Sequence, residues 1–300
     1  MSKSHDDIFV RIHDQYQTFS KGQKRLAAFI TEHYDKAVYM TAARMGQTVG
    51  VSESTVVRFA SELGYDGYPG MQRALEEVMR IRLTALQRME VSKDRMESGH
   101  ISGSVIQSDI SNLKDTLERL DEAVFEKAVD AVLKARTIYI LGVRSSEPLA
   151  SFLSYYLTLF FDNVRLVNTN SMSETFERLM KIGSSDVMIG ISFPRYSKRT
   201  VKAMELAHAR GAEVIAITDS DHSPIASLAD YVLEAQSRSI SFVDSIVGPM
   251  SLINALIVAL SMRQQGRVEE ALTDLENIWK EYDVYESLGE EEETFGRILS

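Results

Sequence analysis

The rhythm of apolar positions changes partway along the chain and divides it in two. Through residue 70, hydrophobic residues recur at helical spacing. In "SKGQKRLAAFITEHYDKAVYM", Ser20 is the expected N-cap, and Leu26, Ile30 and His33 or Tyr34 follow one face. "TAARMGQTVG" comes next, with Thr41 as a cap and Gly50 as a C-terminal stop. "SESTVVRFASELG" then runs from Ser52 to Gly64, with Val56, Phe59, Ala60 and Leu63 as its apolar stripe. Residues 71–96, rich in Arg, Glu, Met and Leu, read as a linking helix. "ESGHISGS", residues 97–104, reads as a flexible junction built of turn residues.

From residue 105 the pattern shifts. Helical segments at 105–120 and 122–135 precede "TIYILG", a short β-rich run ending in glycine. Further β-rich runs are "VRLVN" at 164–168, "VMIGIS" at 187–192, "VIAIT" at 214–218 and "YVLEA" at 231–235. Strands that alternate with helices predict a doubly wound parallel sheet flanked by helices. A last amphipathic helix starts near Gly266, and Glu290–Glu293 reads as a solvated end. The longest apolar runs, 152–161 and 249–262, fall short of the roughly 18 residues of a membrane span, so they predict buried helices.

Composition narrows the class. A chain of 300 residues, 44% of them hydrophobic, suggests two domains with ordinary cores. With no cysteine there is neither a disulfide nor a thiolate metal site, which fits a reducing compartment. Residues 1–7 are polar and lack the apolar core of a signal peptide, so a soluble, cytoplasmic protein is expected. The net charge is −10, but residues 1–90 carry +1 and the remainder −11. The acidity therefore does not exclude a polyanion partner for the first part, because local patches steer such partners.

Two helices joined by "VGVS" form a helix-turn-helix pattern, whose second helix must bury one face and show the other. Ser52, Glu53, Ser54, Thr55 and Arg58 fall on the exposed N-terminal half, and Arg58 can give a bidentate contact to guanine. The same pattern also suits a helical pair in an ordinary bundle with a solvated Arg58. "GVSESTVVRF" and "LGYDGY", at their mutual spacing, resemble the N-terminal domain of the RpiR-type bacterial transcriptional regulators over roughly residues 5–80. The resemblance implies binding of double-stranded DNA at a palindromic operator.

Three loops of the second part follow strands, where open α/β sheets place ligands. "GVRSSEPLA" offers Gly142 for a tight turn, the hydroxyls of Ser145 and Ser146, and a helix start that suits an anion. "SFPRYSKRT" offers Ser192, Ser197 and Thr200 as hydroxyls, with Arg195, Lys198 and Arg199 as positive charge. "RSISFVDSIVGPM" holds Ser239, Ser241, Asp244 and Ser245 before a buried helix. Together with "GAEVIAITDSDHSPIASLADYVL", these resemble a SIS domain over about residues 122–265, the sugar-phosphate-binding fold of sugar isomerases and RpiR-type regulators. The resemblance implies a phosphorylated sugar effector and gives Ser145, Ser146, Ser192 and Ser197 as its binding residues, to which the charge of Arg195 is added from this chain's own sequence. The family's second loop reads Ser-x-Ser-Gly-x-Thr. Here Pro194 and Arg195 replace the second serine and the glycine, which removes an N–H donor and adds a guanidinium.

The resemblance organises the chain as a helix-turn-helix domain over 1–80, a linker helix and junction over 81–104, a SIS-type domain over 105–285 and an acidic tail over 286–300. It also implies a homo-oligomer, dimer or tetramer, since one helix-turn-helix reads only a half-site. Catalysis would need a placed acid and base. Glu174, His208, His222 and Asp244 are the candidates, and they show no paired arrangement. Glu147 would compete with a phosphate at its helix start. No cofactor, metal site or catalytic residue is expected. A sugar-phosphate isomerase with a degenerate helical domain and a dimeric scaffold stand as the alternatives.

Overall fold

The computed structural model describes residues 8–82, 84–89, 100–238 and 240–285. Residues 1–7, 90–99, Ser239 and the acidic end at 290–293 lie outside the described residues.

The first unit is a bundle of α1 (Ile8–Gln15), α2 (Lys21–Glu32), α3 (Tyr34–Ala37), α4 (Ala42–Val49), α5 (Glu53–Glu62) and α6 (Gly67–Arg82). Its starts are set by local chemistry. Ser20 and Gln23 form a full capping box, and Thr41 and Ser52 each accept from the backbone N–H three residues on. The helix expected to run on through His33 breaks there, at a backbone conformation outside the helical range, and α3 starts afresh. Gly50 closes α4 at φ 73°, a left-handed conformation that a side chain resists. Leu26, Ile30, Met45, Val56, Phe59, Leu63 and Leu75 are fully buried in one core.

The single linking helix expected over 71–96 is two helices. α6 begins earlier, at Gly67, and ends at Arg82; α7 occupies residues 85–89. Thr84 makes the break. Its hydroxyl accepts from Gln87 N–H, while Gln87 Oε1 accepts from Thr84 N–H at 2.9 Å, a reciprocal capping box that starts a new helix. The junction expected at 97–104 is also partly helix: α8 (Ile101–Arg119) takes "ISGS" as its first turn. Propagation from a long following segment carries these weak formers, because each added residue needs no new nucleus.

The second unit continues with α9 (Glu122–Lys134), α10 (Glu147–Leu157), α11 (Met172–Arg178), α12 (Lys198–Ala209), α13 (Val247–Arg263) and α14 (Gln265–Glu281) around one sheet. The strands are β1 (Ile138–Gly142), β2 (Val164–Leu166), β3 (Val187–Ile191), β4 (Glu213–Thr218) and β5 (Tyr231–Glu234). All pair in parallel, in the order β2-β1-β3-β4-β5. Every residue of β1 and β3 is buried, as a parallel sheet covered on both faces requires. Alternation sends Ile138, Ile140, Ile189 and Ile215 to α9, α10 and α13, and Tyr139, Met188, Val214 and Ala216 to the α12 side.

α8 is inverted. Its buried residues are Asn112 and Thr116. Asn112 Nδ2 donates to the Arg238 carbonyl at 2.8 Å, and Thr116 Oγ1 accepts from Gln236 N–H at 2.9 Å. Its exposed side carries Ile101, Val105, Ile106, Ile110, Leu113 and Leu117. Among the described residues no helix is long and apolar enough to cross a membrane.

Candidate functional site

The helix-turn-helix is α4, the turn at 50–52 and α5. Val56, Phe59 and Ala60 are buried, whereas Ser52, Glu53, Ser54 and Arg58 are exposed and Thr55 is half-buried. Arg58 Nε donates to the Ser54 carbonyl at 3.4 Å, a long bond that leaves the end of the guanidinium at the surface. Two arginines missed on the sequence hold the motif together. Arg25 donates to the Gly50 carbonyl at 2.9 Å, and Arg11 donates to the Leu63 carbonyl at 2.9 Å while lying 4.6 Å from the Tyr65 ring centroid. Cations at helix C-termini meet carbonyls that have no partner within the helix. Tyr68 of "LGYDGY" donates its hydroxyl to the Met40 carbonyl, and burial pushes its phenol up to about 12. Tyr68 of that motif therefore ties the start of α6 to the segment before α4.

In the second unit, the order β2-β1-β3 reverses direction at β1, and such switch points open a crevice at the strand ends. The loops after β1 and β3 flank a cavity of about 220 Å³ there. Ser145, Ser146, Ser192, Arg195 and Ser197 all line it, together with Arg144, Arg88, Phe242 and Asp244. Three arginines against one aspartate leave the wall positive.

Each loop has a local reason for its shape. At Gly142 an added Cβ would lie 2.3 Å from the Ser146 carbonyl oxygen, so the chain can double back only over glycine. The turn that follows puts Arg144 at φ 58°, and no side chain caps the start of α10 behind it. In the second loop, Arg195 takes φ 68°. It stands where the family pattern has glycine, and a left-handed arginine costs roughly 1–2 kcal/mol. Among the described residues only three non-glycine residues have positive φ, and two of them line this cavity. Strain of this kind persists where surrounding structure imposes it and gathers at functional sites.

The hydroxyls are oriented. Ser192 Oγ accepts from Ser197 N–H at 3.3 Å, and Ser197 Oγ accepts from Arg199 N–H at 3.2 Å, capping α12. A hydroxyl that accepts from the backbone still has its own proton to give. The start of α12 adds partial positive charge beside them.

Other expected residues lie elsewhere. Thr200 is fully buried with its hydroxyl unpartnered, because it faces the sheet as the first turn of α12 packs down. Arg199 donates to the Thr169 carbonyl, and neither it nor Lys198 lines the cavity. Glu147 accepts from Asn168 Nδ2 at 3.1 Å and also stands outside it, so no carboxylate from α10 opposes an anion. Ser245 donates to Asp109 at 2.6 Å. Of the acid–base candidates, Asp244 alone lines the cavity, and Arg88 holds it at 2.9 Å. Glu174 is held below the usual carboxylate range by hydrogen bonds from Thr169 and Arg178. His208 and His222 are exposed. No group of acidic and histidine side chains suited to a metal is found among the described residues.

Comparison with known proteins follows the same division. Residues 7–80 match the model of the helix-turn-helix domain of the rpiR family, and residues 132–259 match that of the SIS domain. An uncharacterized HTH-type transcriptional regulator of Haemophilus influenzae is 28% identical over 86% of this chain and 92% of its own. One from Clostridium perfringens is 24% identical over 74% of this chain and 79% of its own. The sugar isomerase domain of an RpiR transcription factor from Sphaerobacter thermophilus is 30% identical, with a TM-score of 0.56 over 59% of this chain and 98% of that structure. The Vibrio vulnificus NanR protein, solved in complex with ManNAc-6P, shares the fold at 22% identity and a TM-score of 0.56 over 92% of this chain and 98% of its own. With the helix-turn-helix at one end and the SIS sheet at the other, the chain belongs to the RpiR family of transcriptional regulators.

Proposed function

We propose that this regulator binds a palindromic operator through α5 and that a phosphorylated sugar derivative in the SIS cavity controls its affinity. One observation carries the reading: the loops after β1 and β3 bring Ser145, Ser146, Ser192, Arg195 and Ser197 to one positively lined cavity at the switch point of the sheet. Phosphate oxygens suit such a set of hydroxyl protons, guanidinium forks and helix starts. NanR supports the choice of ligand class, since that protein shares the fold and was solved in complex with ManNAc-6P. Arg195, in place of glycine, suits a ligand with an additional acidic or strongly polar group. Sensing is favoured over isomerisation because the cavity's lone carboxylate, Asp244, is tied to Arg88 and faces no second acid or base in the lining.

The test uses an operator fragment selected from a random DNA pool and a panel of sugar phosphates, sugar acid phosphates and their unphosphorylated forms. At least one phosphorylated member should change operator affinity in the wild type. Replacing Ser192 and Ser197 together by Ala should leave DNA binding intact and abolish that change. The double variant should also lose about 1 kcal/mol of stability, because Ser197 caps α12. A wild-type response that survives both substitutions moves the site elsewhere.

The protein acts as a homodimer at least, in this reading. A palindrome pairs two reading helices by a twofold axis, and the inverted α8 offers the apolar face through which a second copy would pack. Light scattering at micromolar concentration should give at least twice the 33.7 kDa chain mass. A monomer with full operator affinity would refute this.

A further inference from the structure

The chain that leaves the DNA-reading unit passes along the wall of the cavity. α6 belongs to the reading unit through Leu75 and Val78. The capping box at Thr84 then turns the chain into α7, whose Ala85 and Arg88, one turn apart, both line the cavity. The Arg88 side chain is only 10% exposed. Its Nη1 donates to Asp244 Oδ1 at 2.9 Å, a contact between residues 156 positions apart. Its Nε–H is buried with no acceptor. A buried guanidinium donor without a partner is an unfavourable arrangement that an incoming oxyanion would relieve.

We propose that Arg88 is a ligand-binding residue supplied by the linker, and that it is the contact through which an anion in the cavity acts on the DNA-reading unit. The proposal rests on the reading above that the cavity takes a phosphorylated sugar. An oxyanion among Ser145, Ser192 and Ser197 accepts from Arg88 and competes with Asp244 for the guanidinium. Any shift of Arg88 moves α7, and α7 is joined to α6 through two residues. The ligand thereby prefers one placement of α6 over another, and that difference in affinity is all an effector has with which to shift an equilibrium. Linkage makes the effect mutual: the operator must change affinity for the anion by the factor by which the anion changes affinity for the operator.

The two ends of the ion pair should respond with opposite sign. Arg88 attracts the anion; Asp244 repels it and occupies Arg88. With full-length protein, and with inorganic phosphate and ManNAc-6P as the probes, Arg88→Gln should lower affinity about tenfold, equivalent to ~1.4 kcal/mol. Asp244→Asn should raise it several-fold. In Arg88→Gln the operator should no longer change probe affinity. If Arg88→Gln folds poorly, Arg88→Lys keeps the charge beside Asp244 but lacks the Nε–H, and should fall between the two. Equal weakening by both substitutions would make the pair a mere structural tie and overturn the proposal. So would an Arg88→Gln protein that binds and responds as wild type while Ser192→Ala does not. If neither probe and no phosphorylated member of the panel above stabilises the wild type, the cavity reading itself falls, and this inference falls with it.

Discussion

The reading helix and the cavity are built in contrasting ways. α5 is started and stopped by its near neighbours, Ser52 and residues 63–65, with Arg11 added at its end from another helix. The cavity takes side chains from α7, from the loops after β1 and β3, and from the segment before α13. The first surface is carried by a single capped helix. The second depends on several segments meeting, so it is the place where a bound molecule can change how those segments lie. Under the function proposed above, α5 would serve as the reader and the cavity as the sensor.

Two substitutions would sharpen the contrast. The larger effect belongs to Arg58→Ala, which removes an exposed side chain whose long hydrogen bond stays within its own helix. A bidentate contact to guanine is worth about 1–3 kcal/mol, so operator affinity in gel-shift assays should fall by that amount at each half-site. The thermal midpoint should not move. Unchanged affinity would mean that α5 reads DNA through other residues.

The smaller effect belongs to Arg195→Gly in the cavity. Relief of a left-handed arginine returns roughly 1–2 kcal/mol, and the freedom of glycine in the unfolded chain takes back about 0.5–1 kcal/mol. The variant should therefore be more stable by about 0.5–1 kcal/mol in urea unfolding and bind phosphorylated ligands more weakly. Stability gained together with unchanged ligand affinity would show that the arginine has no role in binding.

How much of this was legible in the sequence follows the same division. The caps at Ser20, Thr41 and Ser52 and the stop at Gly50 could be read because each acts within one turn of the residues it serves. The central strands β1, β3 and β4 could be read because a sheet covered on both faces leaves unbroken apolar runs, and the edge strands β2 and β5 because of their β-branched and aromatic residues. The two serine loops could be placed because both follow strands. Arg88 could not, since nothing near it in sequence announces a neighbour 156 positions away; Arg144 and Phe242 lie in loops that could be read, but the residues that stood out there were the hydroxyls and the carboxylate. The break that aims Arg88 was written plainly, as Thr84-Ala-Leu-Gln87, but a helix-rich composition masked it. The inversion of α8 escaped because periodicity identifies an apolar face without saying which way it points.

That inversion has a bearing on dosage. A helix that hides its asparagine and threonine and shows its isoleucines and leucines leaves a surface whose cover must come from a second molecule, under the pairing proposed above. Folded stability then includes a mass-action share that grows with the number of copies present. Scarce copies are at once less paired, less stable and poorer readers of a palindrome. The amount of regulator would thus be read by the protein itself, alongside the metabolite proposed for its cavity.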